Sequence, residues 1–429
     1  MRARLSTTFQ SLSVRNYRLF ATGQLIKLVG VWMMFIAQDW LVLDLSHNSA
    51  TALGVVTALQ FTPVLLLTLL SGRLADRHDK RVILYVSNSL WAACSIALSL
   101  LVVSGAVQLW QMFVFAGLLG TAQAVETPVR QAFVSELVGI PLLPNALSLS
   151  AATFNTARIV GPAVAGLAIA GFGVGPVFLI SALMATAPLV YLARMRAADL
   201  HREALPPLAD RNAARIVDGL RYVWKRPDLV LPMALMSILA AALFNFQITL
   251  AALAKTGFHT GAASFGLFTT ALALGSLIGA LASSTRRKRP SAYVVIGAAL
   301  AFSLLGTLVG LAPSYWLVMV LLPPTGFCMI FFAQAANQRI QLGTDAAFRG
   351  RVMALWVLVF MGTNPVAAPL IGRIAEAYGA GTAIWLGGAA SFVAAIAGLV
   401  YQLRRTESRL RVRIGRRPRV RIEPLAERV

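Results

Sequence analysis

Charge is scarce in this sequence. Only 13% of its 429 residues are Asp, Glu, Lys or Arg, and just 16 are acidic, where a soluble domain carries about 25% charged residues. A chain that is 58% hydrophobic and this poor in charge has no surface to offer water, which excludes a soluble globular protein. Cysteine is almost absent. Cys94 and Cys328 both lie inside apolar runs, which excludes a disulfide scaffold and reads as two small buried hydrophobes. The four histidines, at 47, 78, 201 and 259, sit in or beside loops without metal-ligand spacing, so no metal is expected. There is no GxxxxGK[ST] phosphate loop for ATP drive, and no HExxH or GxSxG of a hydrolase. No catalytic residue stands out, and an enzyme is not expected. No cleavable leader is apparent either: the opening "MRARLSTTFQSLSVRNYRLF" is polar and basic, without a small-residue cleavage site.

What is present is apolar length. Runs of about 20 apolar residues cross a hydrocarbon core as helices, and unbroken rather than alternating patterning excludes a barrel. The expectation is an all-α membrane protein with twelve transmembrane helices at 19–43, 51–73, 82–104, 109–130, 146–170, 175–195, 230–253, 262–284, 291–311, 315–338, 351–375 and 381–403. With these spans, 34 of the 38 Lys and Arg residues fall on one side of the membrane. The positive-inside rule then places both termini in the cytoplasm. The net charge of +22 is thereby a topology signal, and nucleic-acid binding is not needed to explain it. The tail "RRTESRLRVRIGRRPRVRIEPLAERV" reads as a solvated segment able to touch anionic lipid. Arg outnumbers Lys 33 to 5, which hints at a GC-rich bacterial genome.

The one long polar interval divides the chain into a cytoplasmic arm (1–18), a six-helix bundle (19–195), a linker (196–229), a second six-helix bundle (230–403) and the basic tail (404–429). Within the linker, "RIVDGLRYVWKRP" spaces Ile216, Leu220 and Trp224 as an amphipathic helix with a basic face, expected to lie on the membrane surface. The AQA at 122–124 aligns with the AQA at 333–335 at an offset of 211, which also carries the start of span one to the start of span seven. Two six-helix pseudo-repeats follow, an architecture used by transporters.

Between spans two and three stands "GRLADRHDKR". Gly72, Asp76, Arg77, Lys80 and Arg81 resemble the loop signature of the major facilitator superfamily, with Asp79 where that signature usually has glycine. The resemblance implies the major facilitator fold and a breakable gate. Asp76 would face the start of span eleven, "RGRVMALW", and the basic residues would reach Glu126 at the end of span four. The competing reading is a solvated turn whose cations only obey topology.

Charges inside spans are functional candidates by default. Arg158, near the middle of span five, is the strongest, and it needs an anionic partner, for which Glu126 and Asp39 are the candidates. Either carboxylate is a possible proton carrier; Asp39 reads equally well as an interfacial residue, and Glu126 better as part of the gate. Gly161, Pro162 and Gly166 resemble, in part, the glycine–proline motif of the superfamily's exporters and would bend span five. Span one sets Gln24, Lys27, Val31 and Gln38 on one narrow face. Three roles are open to Lys27: binding an anionic cargo, neutralising Glu126, or snorkelling to the interface. Gln123, Asn155, Gln247, Gln334, Asn337 and Asn364 are further polar groups at membrane depth, and Trp32, Phe35, Phe244 and Phe246 would suit a bulky amphipathic cargo.

Within the superfamily, "NYRLFATGQLIKLVG", "ALQFTPVLLLTLLSGRLADR", "NALSLSAATFNTARIVGPAVAG" and "GLRYVWKRPDL" are most similar to the bacterial branch of enterobactin exporters and macrolide efflux permeases. That implies a multi-pass protein of the bacterial inner membrane exporting a drug, natural product or siderophore against proton entry. No cofactor beyond the proton gradient, no nucleic acid and no obligate protein partner is implied; the small-molecule substrate and the lipid bilayer are its partners. An importer, a lipid carrier on the same fold and a non-transporting scaffold are the alternatives.

Overall fold

A computed structural model describes residues 9–201, 216–284, 286 and 288–406, with two strands beyond them. The side chains of 68–77, 197, 216–217, 346–347 and those after 406 lie outside the described residues. The apolar runs form α1 (Arg15–Leu45), α2 (Ala50–Arg77), α3 (Lys80–Val103), α4 (Leu109–Phe172), α5 (Val174–Ala185) and α6 (Ala187–Arg194). After the short α7 (Ile216–Trp224) come α8 (Pro227–Ala242), α9 (Phe246–Ala252), α10 (Ala262–Ser284), α11 (Ala292–Leu311), α12 (Tyr315–Gly343), α13 (Ala346–Met361), α14 (Asn364–Tyr378) and α15 (Ala380–Arg405). Among the described residues, eleven segments are long and apolar enough to cross a membrane. The end of the bundle where α1 starts and α15 stops is called here the near end, and the opposite one the far end.

Several of the expected spans differ from simple rods, span six among them, divided at Thr186 between α5 and α6. The segment expected as a loop between 130 and 146 is helical on both sides of a kink, so that α4 is two arms, 109–138 and 140–172, of about 45 and about 50 Å at the α-helical rise. Its one non-helical residue is Gly139 (φ 68°, ψ 173°), a backbone state open to glycine and costly for other residues. Pro141 follows in the first turn of the second arm, where its missing N–H costs nothing. Span seven breaks between α8 and α9, where Asn245 Nδ2 turns back to the carbonyls of Ala240 and Ala241, both at 3.4 Å. Span eleven breaks at Gly362–Thr363, because Pro365 in the first turn of α14 has no N–H to continue the ladder.

The helices of each half pack mainly on one another, α1 and α2 against α4, α10 against α12, and α11 against α15. Two crossings carry most of the contact between halves: α2 with α14, and α4 with α10. Both are glycine crossings. A Cβ on Gly54 would lie 2.7 Å from Pro369 Cα, and one on Gly266 would lie 2.9 Å from Gly166 Cα. Backbones therefore meet directly, as small residues allow between membrane helices.

The amphipathic α7 packs on the start of span eleven. Tyr222 stacks on Phe348 with centroids 4.4 Å apart and its hydroxyl donates to Asp345 Oδ2 at 2.9 Å, while Leu220 and Trp224 stay exposed. The tail departs from the all-α expectation: Ser408–Arg413 and Arg419–Pro424 pair as antiparallel strands β1 and β2. The signal was the alternation of Arg with Leu, Val and Ile, which has the period of a strand and pairs Leu410 with Ile422 and Val412 with Val420.

Candidate functional site

At the near end, Gly72, Asp76 and Arg77 fall on side chains outside the described residues. The other two motif cations do not reach Glu126. Lys80 Nζ donates to Glu136 Oε1 at 2.6 Å, and Arg81 Nε and Nη2 donate to the Leu192 carbonyl at 3.1 and 2.5 Å. Glu136, one helical stretch beyond Glu126, is the acid that α3 meets there. Asp79, the departure from the superfamily signature, has a local reason. It is the N-cap of α3, its side chain accepting from Arg81 N at 2.8 Å, which satisfies an otherwise unpaired donor.

Glu126 belongs instead to a charged cluster inside the first half. Its Oε1 lies 3.2 Å from Lys27 Nζ and 3.1 Å from Arg130 Nε. Lys27 Nζ also donates to Asn88 Oδ1 at 2.8 Å and stands 5.7 Å from the centre of the Trp91 ring. One turn away, Gln24 Nε2 donates to the Tyr191 hydroxyl at 2.8 Å. Lys27 and Glu126 are 4% and 6% exposed, too enclosed for snorkelling and turned toward α3 rather than toward the second half. Of the three roles open to Lys27, the geometry carries the neutralisation of Glu126. Arg130, at the i+4 position from Glu126, was legible as its helical neighbour; Asn88, Trp91 and Tyr191 were not, because only packing brings α3 and α6 to α1.

The far end holds polar contacts between halves. Gln247 Nε2 donates to Asp39 Oδ2 at 2.7 Å, with Asp39 6% exposed. Lys255 pairs with Asp44, and stands over the Trp40 ring at 4.9 Å. Glu376 Oε2 accepts from Ser49 Oγ at 2.7 Å and from Thr51 N at 3.0 Å, closing α14 onto the start of α2. The sequence holds a hint of the Asp44–Lys255 pair that was not used: the two positions differ by 211, the same offset that aligns the two AQA segments.

Arg158 is half-buried and has neither expected partner: Glu126 is taken by Lys27 and Arg130, and Asp39 by Gln247. Its Nε is buried without a hydrogen bond among the described residues. Asn155 Nδ2 donates within its own helix, to Ala151 O at 2.9 Å. Gln38 is buried, Gln123 and Asn337 are half-buried and Gln334 is exposed. Gly161 packs against Trp32 of α1, whereas Pro162 and Gly166 face α10. Pro162 lies inside the assigned helix, and the glycine–proline segment forms a packing surface in this structure.

A family model described as transmembrane secretion effector matches residues 6–423. The multidrug efflux pump Tap of Mycolicibacterium fortuitum is 27% identical over 364 residues, 82% of this chain and 87% of that protein. The enterobactin exporter EntS of Escherichia coli is 25% identical over 371 residues, 83% and 85% of the two chains. The staphyloferrin A transporter of Staphylococcus aureus is 28% identical over 267 residues, 61% of this chain and just under two thirds (65%) of that protein. Among solved structures, the nucleoside transporter NupG superposes with a TM-score of 0.68 at 12% identity, covering 90% of this chain and 98% of its own. The POT family transporter PepTSo gives 0.67 at 14% identity, covering 91% and 98%. These structural likenesses speak to the fold.

Proposed function

The chain belongs to the transmembrane secretion effectors of the major facilitator superfamily, and on that premise we propose that it is a proton-coupled exporter of small amphipathic molecules. It has twelve crossings, the two arms of α4 on either side of Gly139 each counting as one, since each arm is longer than the roughly 30 Å of a hydrocarbon core. The near end, with both termini, faces the cytoplasm of a bacterial inner membrane. The two halves rock about the glycine crossings to expose the cargo site to each side in turn. The proton gradient is the energy source, without a cofactor, and the substrate and the lipid bilayer are its partners.

The observation that supports this reading best is Asp39. It is a buried carboxylate whose hydrogen-bond partner, Gln247, belongs to the opposite half, and among the described residues no cation is paired with it. Enclosing an ionised carboxylate without a cation is expensive, so closing the far end over Asp39 is coupled to its taking a proton there. A proton taken up from the far side as that end closes, and given up toward the near side before it reopens, is the exchange an exporter needs.

The test uses everted membrane vesicles with an imposed acid-inside gradient and a panel of lipophilic dyes, macrolides and catecholate siderophores. At least one compound should accumulate only with the gradient, and Asp39→Asn should remove that dependence. Gradient-independent accumulation, or an Asp39→Asn protein that still couples, would overturn the proton reading.

A further inference from the structure

Arg158 is an arginine at membrane depth with no anionic partner among the described residues. The other ionisable groups at that depth in the first half are all engaged: Lys27, Glu126 and Arg130 with one another, and Asp39 with Gln247. Intramembrane arginines are costly, and they face a partner or a water-filled path. The surface around Arg158 identifies which. At roughly 100° per residue, one edge of this part of α4 is Gly161, packed on α1 at Trp32, and the other is the Ile159–Gly166 edge, packed on α10, where Thr270 Oγ1 donates to Ile159 O at 3.1 Å. Arg158 falls in the arc between them. The exposed apolar Val160, Val164 and Leu167 fall on the opposite side, which is the side for lipid. Along the stripe of Arg158, Ala165 toward the far end is fully buried and Ala151 toward the near end is exposed. The stripe therefore lines a cleft between the halves, shut at the far end and open at the near end.

The wall beside it is aromatic. Phe154, one turn before Arg158, is 42% exposed and meets Trp32 edge-on at 6.0 Å, and Trp32 meets Phe35 in the same manner at 5.8 Å. A guanidinium fork matches a carboxylate or catecholate with two parallel hydrogen bonds, and ring faces and edges favour a flat apolar body. We infer that Arg158 docks the anionic head of the cargo and that the cargo is an aromatic anion bearing a carboxylate or catecholate, its ring against Trp32 and Phe154. This rests on the exporter reading only for the direction of travel. Binding from the near end is a separate property.

Two measurements keep the two apart. Binding of 2,3-dihydroxybenzoate, citrate and tetraphenylphosphonium to the full chain in nanodiscs is followed by calorimetry. The expected order in the wild type is the aromatic anion first, then the non-aromatic anion, with the aromatic cation weakest. Arg158→Gln should weaken the aromatic anion at least about ten-fold and leave the cation unchanged or improved; Arg158→Lys, which keeps the charge without the fork, should fall between. Phe154→Ala should weaken dihydroxybenzoate while sparing citrate. Equal affinity in the wild type and Arg158→Gln, a preference for the cation, or no binding of either anion to a folded wild type would each overturn the inference. Vesicle transport is then scored by itself. Arg158-dependent binding without gradient-driven movement would sink the exporter reading and leave this one standing. Gradient-driven movement of the cation, undiminished in Arg158→Gln, would do the reverse.

Discussion

Glu126→Gln and Lys27→Met remove opposite ends of one buried pair, and the structure says that they should not cost the same. Lys27 Nζ and Arg130 Nε approach the same oxygen, at 3.2 and 3.1 Å. The two cations therefore stand within about 6 Å of each other, and at an effective dielectric of about 20 each attraction to Glu126 is about 5 kcal/mol gross and their mutual repulsion about 3 kcal/mol. Glu126→Gln deletes both attractions and keeps the repulsion inside the bundle. Leaving buried charge unpaired in this way costs about 3–5 kcal/mol. Lys27→Met deletes one attraction and the repulsion together, and it leaves the neutral Glu126–Arg130 pair. Its main loss is the bond to Asn88 Oδ1, about 1–2 kcal/mol. Thermal unfolding of the purified variants in one detergent at one scan rate should show Glu126→Gln lower by about 3–6 °C for a chain of this length, and Lys27→Met by less than about 2 °C. Equal falls, or the larger fall in Lys27→Met, would refute the account of Glu126 as the shared anion of two cations.

Other consequences of the geometry are as open to measurement. Asp44→Cys together with Lys255→Cys should cross-link in native membranes with a short bis-methanethiosulfonate, which joins the two thiols through disulfides, and arrest transport until reduced; no cross-link would mean that the far end does not close as described. The single change Asp44→Asn removes a pair at the solvated rim and should cost no more than about 1 kcal/mol. Gly266→Val places a side chain where a Cβ already meets Gly166 Cα at 2.9 Å, an overpacking of about 1–3 kcal/mol that pushes the halves apart. Labelling of a cysteine at position 39 from the far side should rise with it, and should not rise with Gly297→Val, whose Cβ meets open space. Tyr222→Ala should release α7 from Phe348 and Asp345 and speed protease cleavage of the linker, with Tyr222→Phe, which keeps the stack, close to wild type.

Composition and periodicity alone settled that this chain is a many-helix membrane protein, because apolar runs of bilayer length permit no other backbone solution. The loop residues Gly72 to Arg81 and the segments around spans one, two, five and seven were enough to point to the family. The sequence also carried local pairs: Glu126 with Arg130 at helical spacing, Asp79 as a cap, and the 211-residue offset that joins Asp44 to Lys255. Which cation meets which acid was decided elsewhere. Lys80 meets Glu136 rather than Glu126, and Arg158 meets neither Glu126 nor Asp39, because a charge list has no distances and only packing sets which faces of α1, α3 and α4 turn together. The breaks at Asn245 and Gly362–Thr363, and the kink at Gly139 between two helical arms where a loop was expected, are likewise tertiary outcomes. A few kcal/mol of local preference at Asn, Gly and Pro is realised as a break or a kink only where the surrounding packing accommodates that shape.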